Sequence, residues 1–289
     1  PKLVSTDNLI GANALSVTGG TIAIVLGGGF GVGLRHVFNS FTASDQSDSL
    51  LVIVAAFGYL IAALLALRAR KDEFGPEPHT IAPAWYQGFN EMREGFIYLK
   101  ERTTSLLAII VVAIQRGGLT ALTLMALILQ RNTFNDANNP DAGLGGFAFA
   151  LVISGIGITL GAVITPPATR IINRFTWSRA AMVVAAIPPI IFAVTLNEAT
   201  LLLMGFFTGM AGQAVKVTND AIVQQLTNDI YRGRVFAVYD VLVNAAIVSG
   251  ALICAAYIPQ SGLSAAVPTG IAGAYLFAAF VVMNKRFFK

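Results

Sequence analysis

Charge is scarce in this chain. Asp, Glu, Lys and Arg make up 12% of its 289 residues, against 55% hydrophobic. A soluble domain is about a quarter charged, so an ordinary water-exposed surface is excluded. Cysteine is nearly missing: Cys254 stands alone, which excludes an intrachain disulfide and a cysteine metal cluster. Histidine occurs only at His36 and His79, too few for a histidine-based metal site. HExxH, GxSxG and Walker sequences are all absent. These gaps lead to the expectation of no cofactor, no metal and no enzyme. The net charge of +4 forms no basic patch interleaved with aromatics, so no nucleic-acid partner is expected.

What is present is a series of long uncharged stretches. A bilayer core needs about 20 apolar residues as a helix. Eight stretches approach or reach that length: Leu9–Leu34, Leu50–Leu67, Thr104–Leu129, Gly145–Thr169, Ala180–Leu196, Thr200–Ala221, Val235–Tyr257 and Leu263–Met283. Strands of a membrane barrel would be shorter and alternating. The expectation is an all-α polytopic bundle of eight spans in the lipid bilayer. The basic residues orient it. With the start inside, fifteen of the nineteen Lys and Arg fall on the inner side and only Arg35 and Arg131 on the outer. Cytoplasmic loops carry this excess, so both ends are expected in the cytoplasm, at a plasma membrane. Arg116 and Lys216 lie within spans. The chain starts at Pro1 and shows no signal peptide. It is therefore expected to be a fragment, with helices missing upstream.

Three segments follow from this pattern: 1–67 with two spans, 68–103 as a cytoplasmic linker, and 104–289 with six spans. The linker places Trp85, Phe89, Met92, Phe96 and Leu99 on one helical face. That predicts an amphipathic helix lying at the interface or packed on the inner ends of the spans. Pro166-Pro167 and Pro188-Pro189 are expected to kink or end their helices. Gly27, Gly29, Gly31 and Gly33 in the first span, and Gly157 and Gly161 in the fourth, have the spacing of helix-packing glycines. A hinge is the other reading of the first group.

Ionisable groups inside spans are costly and functional by default. Arg116 shares a helix face with Thr120 and Thr123, a polar stripe expected to face a cavity unless Arg116 only braces a neighbouring helix. A second stripe runs through Gln213, Lys216, Asp220 and Gln224, and the seventh span carries Asp240 and Asn244 one turn apart. Lys216 and Asp240 lie at matched depth in from Ala221 and Val235. They are expected to pair as an inner gate or proton-linked switch, with Lys216 snorkelling as the alternative. Asp220 is the second acid of that group and has Arg232 or Arg234 as alternative partners.

Three segments resemble the major facilitator superfamily, and within it drug and siderophore exporters of the enterobactin-exporter type. Residues 3–15 (LVSTDNLIGANAL) are similar to that group's approach to its fifth helix. Glu94–Lys100 (EGFIYLK) is similar to the end of its central loop, and Tyr231–Phe236 (YRGRVF) to its junction between helices ten and eleven. The resemblance implies that the eight spans are helices five to twelve of a twelve-helix secondary transporter, probing both membrane sides by alternating access. It also implies cavity roles for Arg116, Gln213, Lys216 and Asp240, a small amphipathic substrate and a coupling proton or ion. The first span is similar to the family's fifth-helix antiporter motif but lacks its glycine-proline pair. A truncated, non-transporting membrane protein and a membrane-embedded enzyme are the rival readings.

Overall fold

In a membrane every backbone polar group must be satisfied within its own segment or a closed sheet, and this chain takes the helical solution. The computed structural model describes residues 9–42, 44–68, 85–136 and 139–283. Among them the regular structure is helical throughout, without strands. In chain order the helices are α1 (Leu9–Asn39), α2 (Ser44–Ala66), α3 (Trp85–Glu101), α4 (Thr103–Leu129) and α5 (Pro140–Ile171). There follow α6 (Arg174–Thr195), α7 (Glu198–Leu226), α8 (Asp229–Tyr257) and α9 (Ala266–Phe277). A π turn extends α4 through Gln130–Phe134 and another extends α9 through Ala278–Val282.

The described residues supply six membrane-length apolar helices where the sequence pattern led to eight spans. The six are α2, α4 with its π turn, α5, α6, α7 and α8. The last expected span comes out as a shorter apolar helix, Ala266–Val282. The helix begins at Ala266, after a turn at Pro259–Gly262 in which Gly262 takes φ +82. The first expected span corresponds to α1, and the side chains of its first half lie outside the described residues.

The chain divides into two compact units, Pro1–Pro83 and Ala84–Lys289. The first holds the α1–α2 hairpin. Its turn is tied by Arg35 Nε to Asp48 Oδ1 at 2.7 Å and by a 2.8 Å hydrogen bond between the Thr42 and Ser47 hydroxyls. The hydrophobic side chains of α2 remain largely exposed on this unit, as its place in a membrane requires. The Phe74–Pro78 part of the expected linker lies outside the described residues.

The second unit is built around α4, α6 and α7, which bury the largest shares of their apolar windows. In α4, Ala108, Val111, Val112, Leu122, Met125 and Leu129 point inward, and in α7 Met204, Ala211, Val215 and Ile222 meet them. In lipid no hydrophobic gain separates helix from helix, so close van der Waals packing decides contact. The α5–α7 pair shows how. A Cβ on Gly157 would overlap the Phe206 carbonyl, and one on Gly161 would overlap that of Met210. The α4–α8 crossing is as tight, with Gly250 against the Gly117 carbonyl.

Four successive helices begin at asparagine. Asn139, Asn173, Asn197 and Asn228 accept from the backbone N–H of Ala142, Phe175, Thr200 and Ile230, capping α5, α6, α7 and α8. The connections are therefore short, and alternate helices run in opposite directions. At one end of the unit Gln130 Nε2 donates to Glu198 at 3.0 Å, and the π turn after α4 bonds the Gln260 and Ser261 carbonyls. At the other end Arg174 bonds Gln225 and α3 joins α8.

One local expectation narrows here and another changes. Neither proline pair ends its helix: α5 and α6 run through Pro166-Pro167 and Pro188-Pro189. Near the first pair, Thr165 and Thr169 hydroxyls return hydrogen bonds to carbonyls of Gly161, Thr165 and Pro166. The packed face of α3 is also rotated. Leu99 and Gly95 are buried and Met92 is half-buried, whereas Phe89 and Phe96 are 63% and 41% exposed. Gly95 is the reason, because its missing Cβ lets α3 sit directly on the Arg234 carbonyl. Around that contact Glu94 pairs with Arg234 at 2.9 Å, Tyr98 stacks on Tyr231 at 4.5 Å, and the Tyr98 hydroxyl accepts from Asn228 N–H. The Trp85 side chain lies outside the described residues.

Candidate functional site

The intramembrane polar residues of the second unit gather where α4, α7, α8 and α9 meet. Arg116 and Gln115 occupy neighbouring positions near the middle of α4. The Arg116 guanidinium donates to Gln213 Oε1 on α7 at 3.4 Å, its only side-chain hydrogen bond among the described residues. Gln115 is fully buried and its amide packs over Gly212, where a Cβ would collide with it. Both polar atoms of that amide lack a partner. The backbone carbonyl of Gln115 accepts from the Tyr275 hydroxyl of α9 at 3.1 Å.

One turn further along α7 lies a second group. Lys216 Nζ pairs with Asp220 Oδ2 at 2.5 Å, and the Tyr239 hydroxyl of α8 donates to the other oxygen of the same carboxylate. Asp220 therefore has both oxygens engaged, one by its own helix and one across to α8. Arg116 is close enough for electrostatic attraction to Asp220. The group counts two cations, Arg116 and Lys216, against one engaged carboxylate.

This arrangement differs from the expected Lys216–Asp240 pair. Among the described residues Asp240 makes no ion pair, and its side chain is exposed on the unit. The reason is azimuthal. Consecutive residues on a helix point about 100° apart, so Tyr239 facing α7 turns Asp240 away from it. Lys216 and Asp220 are one turn apart on one helix, where opposite charges meet readily. The depth argument itself becomes stronger: α7 continues past Ala221 to Leu226, and α8 begins at Asp229. Lys216 and Asp240 are then ten and eleven residues from their helix ends, roughly 15 Å in. Asp220 meets neither Arg232 nor Arg234, which pair with Asp229 and Glu94.

The remaining stripe residues divide by what they touch. Thr120 and Thr123 return their hydroxyls to the carbonyls of Arg116 and Leu119 in their own helix. Thr123 also lines a crevice of about 40 Å³ between α4, α5 and α7, with Leu119, Leu122, Phe147 and Leu151. Thr208, on its wall, is buried with its hydroxyl unpartnered. Asn244 is exposed on α8 and bonds the Asp240 carbonyl. Gln224 is exposed near the end of α7. Gly27, Gly29, Gly31 and Gly33 have open space where a Cβ would stand, so the described residues supply no partner for that glycine face.

Sequence reasoning missed Tyr239, Tyr275 and Gln115. The two tyrosines count as apolar in a hydrophobic window, and only their hydroxyl positions reveal their use. Among the described residues no group of His, Cys, Asp and Glu has the arrangement to hold a metal ion.

No protein-family model matches the chain, and no solved structure matches it. Two curated proteins do. Both are named as uncharacterized MFS-type transporters, one from Mycobacterium bovis and one from Mycobacterium tuberculosis. Each is 28% identical over 265 residues, covering 91% of this chain and 58% of the relative. The chain thus spans little more than half the length of the curated relatives it matches. The superfamily-level resemblance drawn from the sequence is supported: this chain is similar to proteins named as MFS-type transporters. Those relatives and the membrane-length helices together support a multi-pass membrane protein.

Proposed function

We propose that the chain is helices five to twelve of a facilitator-type secondary transporter, an efflux permease for a small amphipathic molecule. The observation that carries this reading is the polar group of Arg116, Gln213, Lys216, Asp220 and Tyr239 across three membrane-length helices. Charges at such depth are retained in membrane proteins mainly for pathways, relays and gates. In this reading α1 and α9 are the first and last of eight spans. The exposed Asp240 and Asn244 belong to the face of α8 turned to a central cavity, because a carboxylate at that depth is unfavourable against lipid. Transport in this reading proceeds by alternating access, the site opening to each side of the membrane in turn.

The Lys216–Asp220–Tyr239 group serves as the proton-linked switch. Protonating Asp220 removes the charge that holds Lys216 and weakens the bond that ties α7 to α8. Asp240, one residue beyond Tyr239, is the second acid of the switch. Both termini lie in the cytoplasm at a plasma membrane. The basic end of the second unit supports this, with Arg93, Lys100, Arg102, Arg170, Arg174, Arg232 and Arg234.

The test is transport by the full-length protein in membrane vesicles with an imposed proton gradient. The readout is efflux of a panel of amphipathic dyes. Gradient-dependent dye movement that Asp220→Asn abolishes is expected. Movement unaffected by both the gradient and Asp220→Asn would reject the switch, and no movement of any dye would reject the efflux reading.

A further inference from the structure

We infer that Arg116 is a docking point for an oxyanion, so that the substrate is an amphipathic monoanion bearing a carboxylate, sulfonate or phosphate ester. This rests on the transporter reading above. Three observations carry it. First, the guanidinium has five N–H donors and uses one among the described residues, at 3.4 Å to Gln213. That is longer than an ordinary N–H···O bond. Secondly, Asp220, which attracts Arg116, makes its direct contacts with Lys216 and Tyr239, so among the described residues no acid touches the guanidinium. Among the groups in direct contact, Arg116 and Lys216 stand against Asp220 alone, at a depth where unpaired charge is costly. Thirdly, the adjacent Gln115 is fully buried with both its amide atoms unpartnered, so the same turn of α4 holds further unspent polar capacity on a face about 100° away.

An oxyanion matches a guanidinium fork better than any neutral group, through paired charge-assisted hydrogen bonds. Leu119 and Thr123 follow Arg116 on the same side of α4 and line the mostly apolar crevice against Phe147 and Leu151. Arg116 to Thr123 is about 10 Å along the helix, the length of a short apolar tail. The geometry assigns the head to Arg116; the crevice, at about 40 Å³, is too small as it stands to hold the tail.

The experiment uses the full-length protein in phosphatidylcholine nanodiscs, with empty nanodiscs subtracted. Two probes of equal length are titrated by fluorescence: dansylaminoundecanoate and the matching dansylaminoundecyl amine. The carboxylate is expected to bind at least about tenfold more tightly. Arg116→Gln should erase that preference, and Arg116→Lys should keep part of it. Far-UV circular dichroism and size-exclusion elution check each variant. Equal binding of both probes to the unaltered protein overturns the inference without needing any variant. If both probes bind equally and Arg116→Gln weakens both, the cavity reading survives and the anion assignment falls. If Arg116→Gln and Gln213→Ala leave every affinity unchanged, both fall.

Discussion

At the scale of the residue, the chemistry of the second unit rests on a few side chains whose neighbours set their state. Arg116 is poorly satisfied by protein, so its removal should cost function more than folding. On the proposed reading, Arg116→Ala in the full-length protein is expected to lower transport at least about tenfold while membrane abundance stays within about twofold, measured by dye efflux and immunoblot. Normal transport at normal abundance would remove Arg116 from the pathway. Lys216 makes a sharper comparison, since depth alone allows Asp240 and the structure selects Asp220. A fully buried pair is worth about 3–5 kcal/mol when one partner is removed. Lys216 is 39% exposed on its unit, so the loss should be smaller. Double-mutant cycles on thermal stability should show coupling between Lys216→Ala and Asp220→Ala, and additivity between Lys216→Ala and Asp240→Ala. The reverse pattern would restore the pairing expected from depth.

At the scale of the element, small residues and caps place the helices that carry the site. Gly157 and Gly161 let α5 touch the α7 backbone, whereas Gly145 at the start of α5 has open space around it. Gly157→Leu should therefore lower stability by about 1–3 kcal/mol through overpacking, and Gly145→Leu should be near neutral. Thermal unfolding in detergent reads the difference, and equal effects would argue against the close crossing. The asparagine caps act on the same scale. Asn197→Ala removes the acceptor for the Thr200 N–H at the head of α7, and a cap of this kind is worth about 1 kcal/mol. A measurable drop in melting temperature is expected, and no drop would show that water satisfies that helix end as well. The linker helix shows what periodicity leaves open. Its amphipathic spacing identified a helix, but the face it packs was chosen by Gly95, a residue with no side chain to register in a hydrophobic pattern.

At the scale of the whole molecule, sidedness is the property most open to test. Each turn of the second unit joins antiparallel helices, and the basic residues collect at one end. Single cysteines at Ser40 and Ser261 should react with an impermeant thiol reagent on intact cells, and one at Asn228 should react only after permeabilisation. Cys254 is buried and is replaced by alanine for this measurement. Labelling at Asn228 without labelling at Ser261 would invert the molecule.

Composition alone determined that this chain is a membrane protein, because a surface with so little charge is favourable only in lipid. The spacing of uncharged stretches determined that it is helical, because a bilayer admits helices of that length and no open sheet. The order of basic residues determined the expected orientation, and the intramembrane charges marked the site residues to examine. Partnership was decided by tertiary structure. Depth is a one-dimensional quantity and can be counted along the chain, whereas the direction in which a side chain points depends on how its helix is rotated against its neighbours. That rotation is set where glycines remove a Cβ, at Gly117 and Gly250 between α4 and α8 and at Gly157 and Gly161 between α5 and α7. It turns Tyr239 toward Asp220 and Asp240 outward, which no periodicity within a single helix could have disclosed.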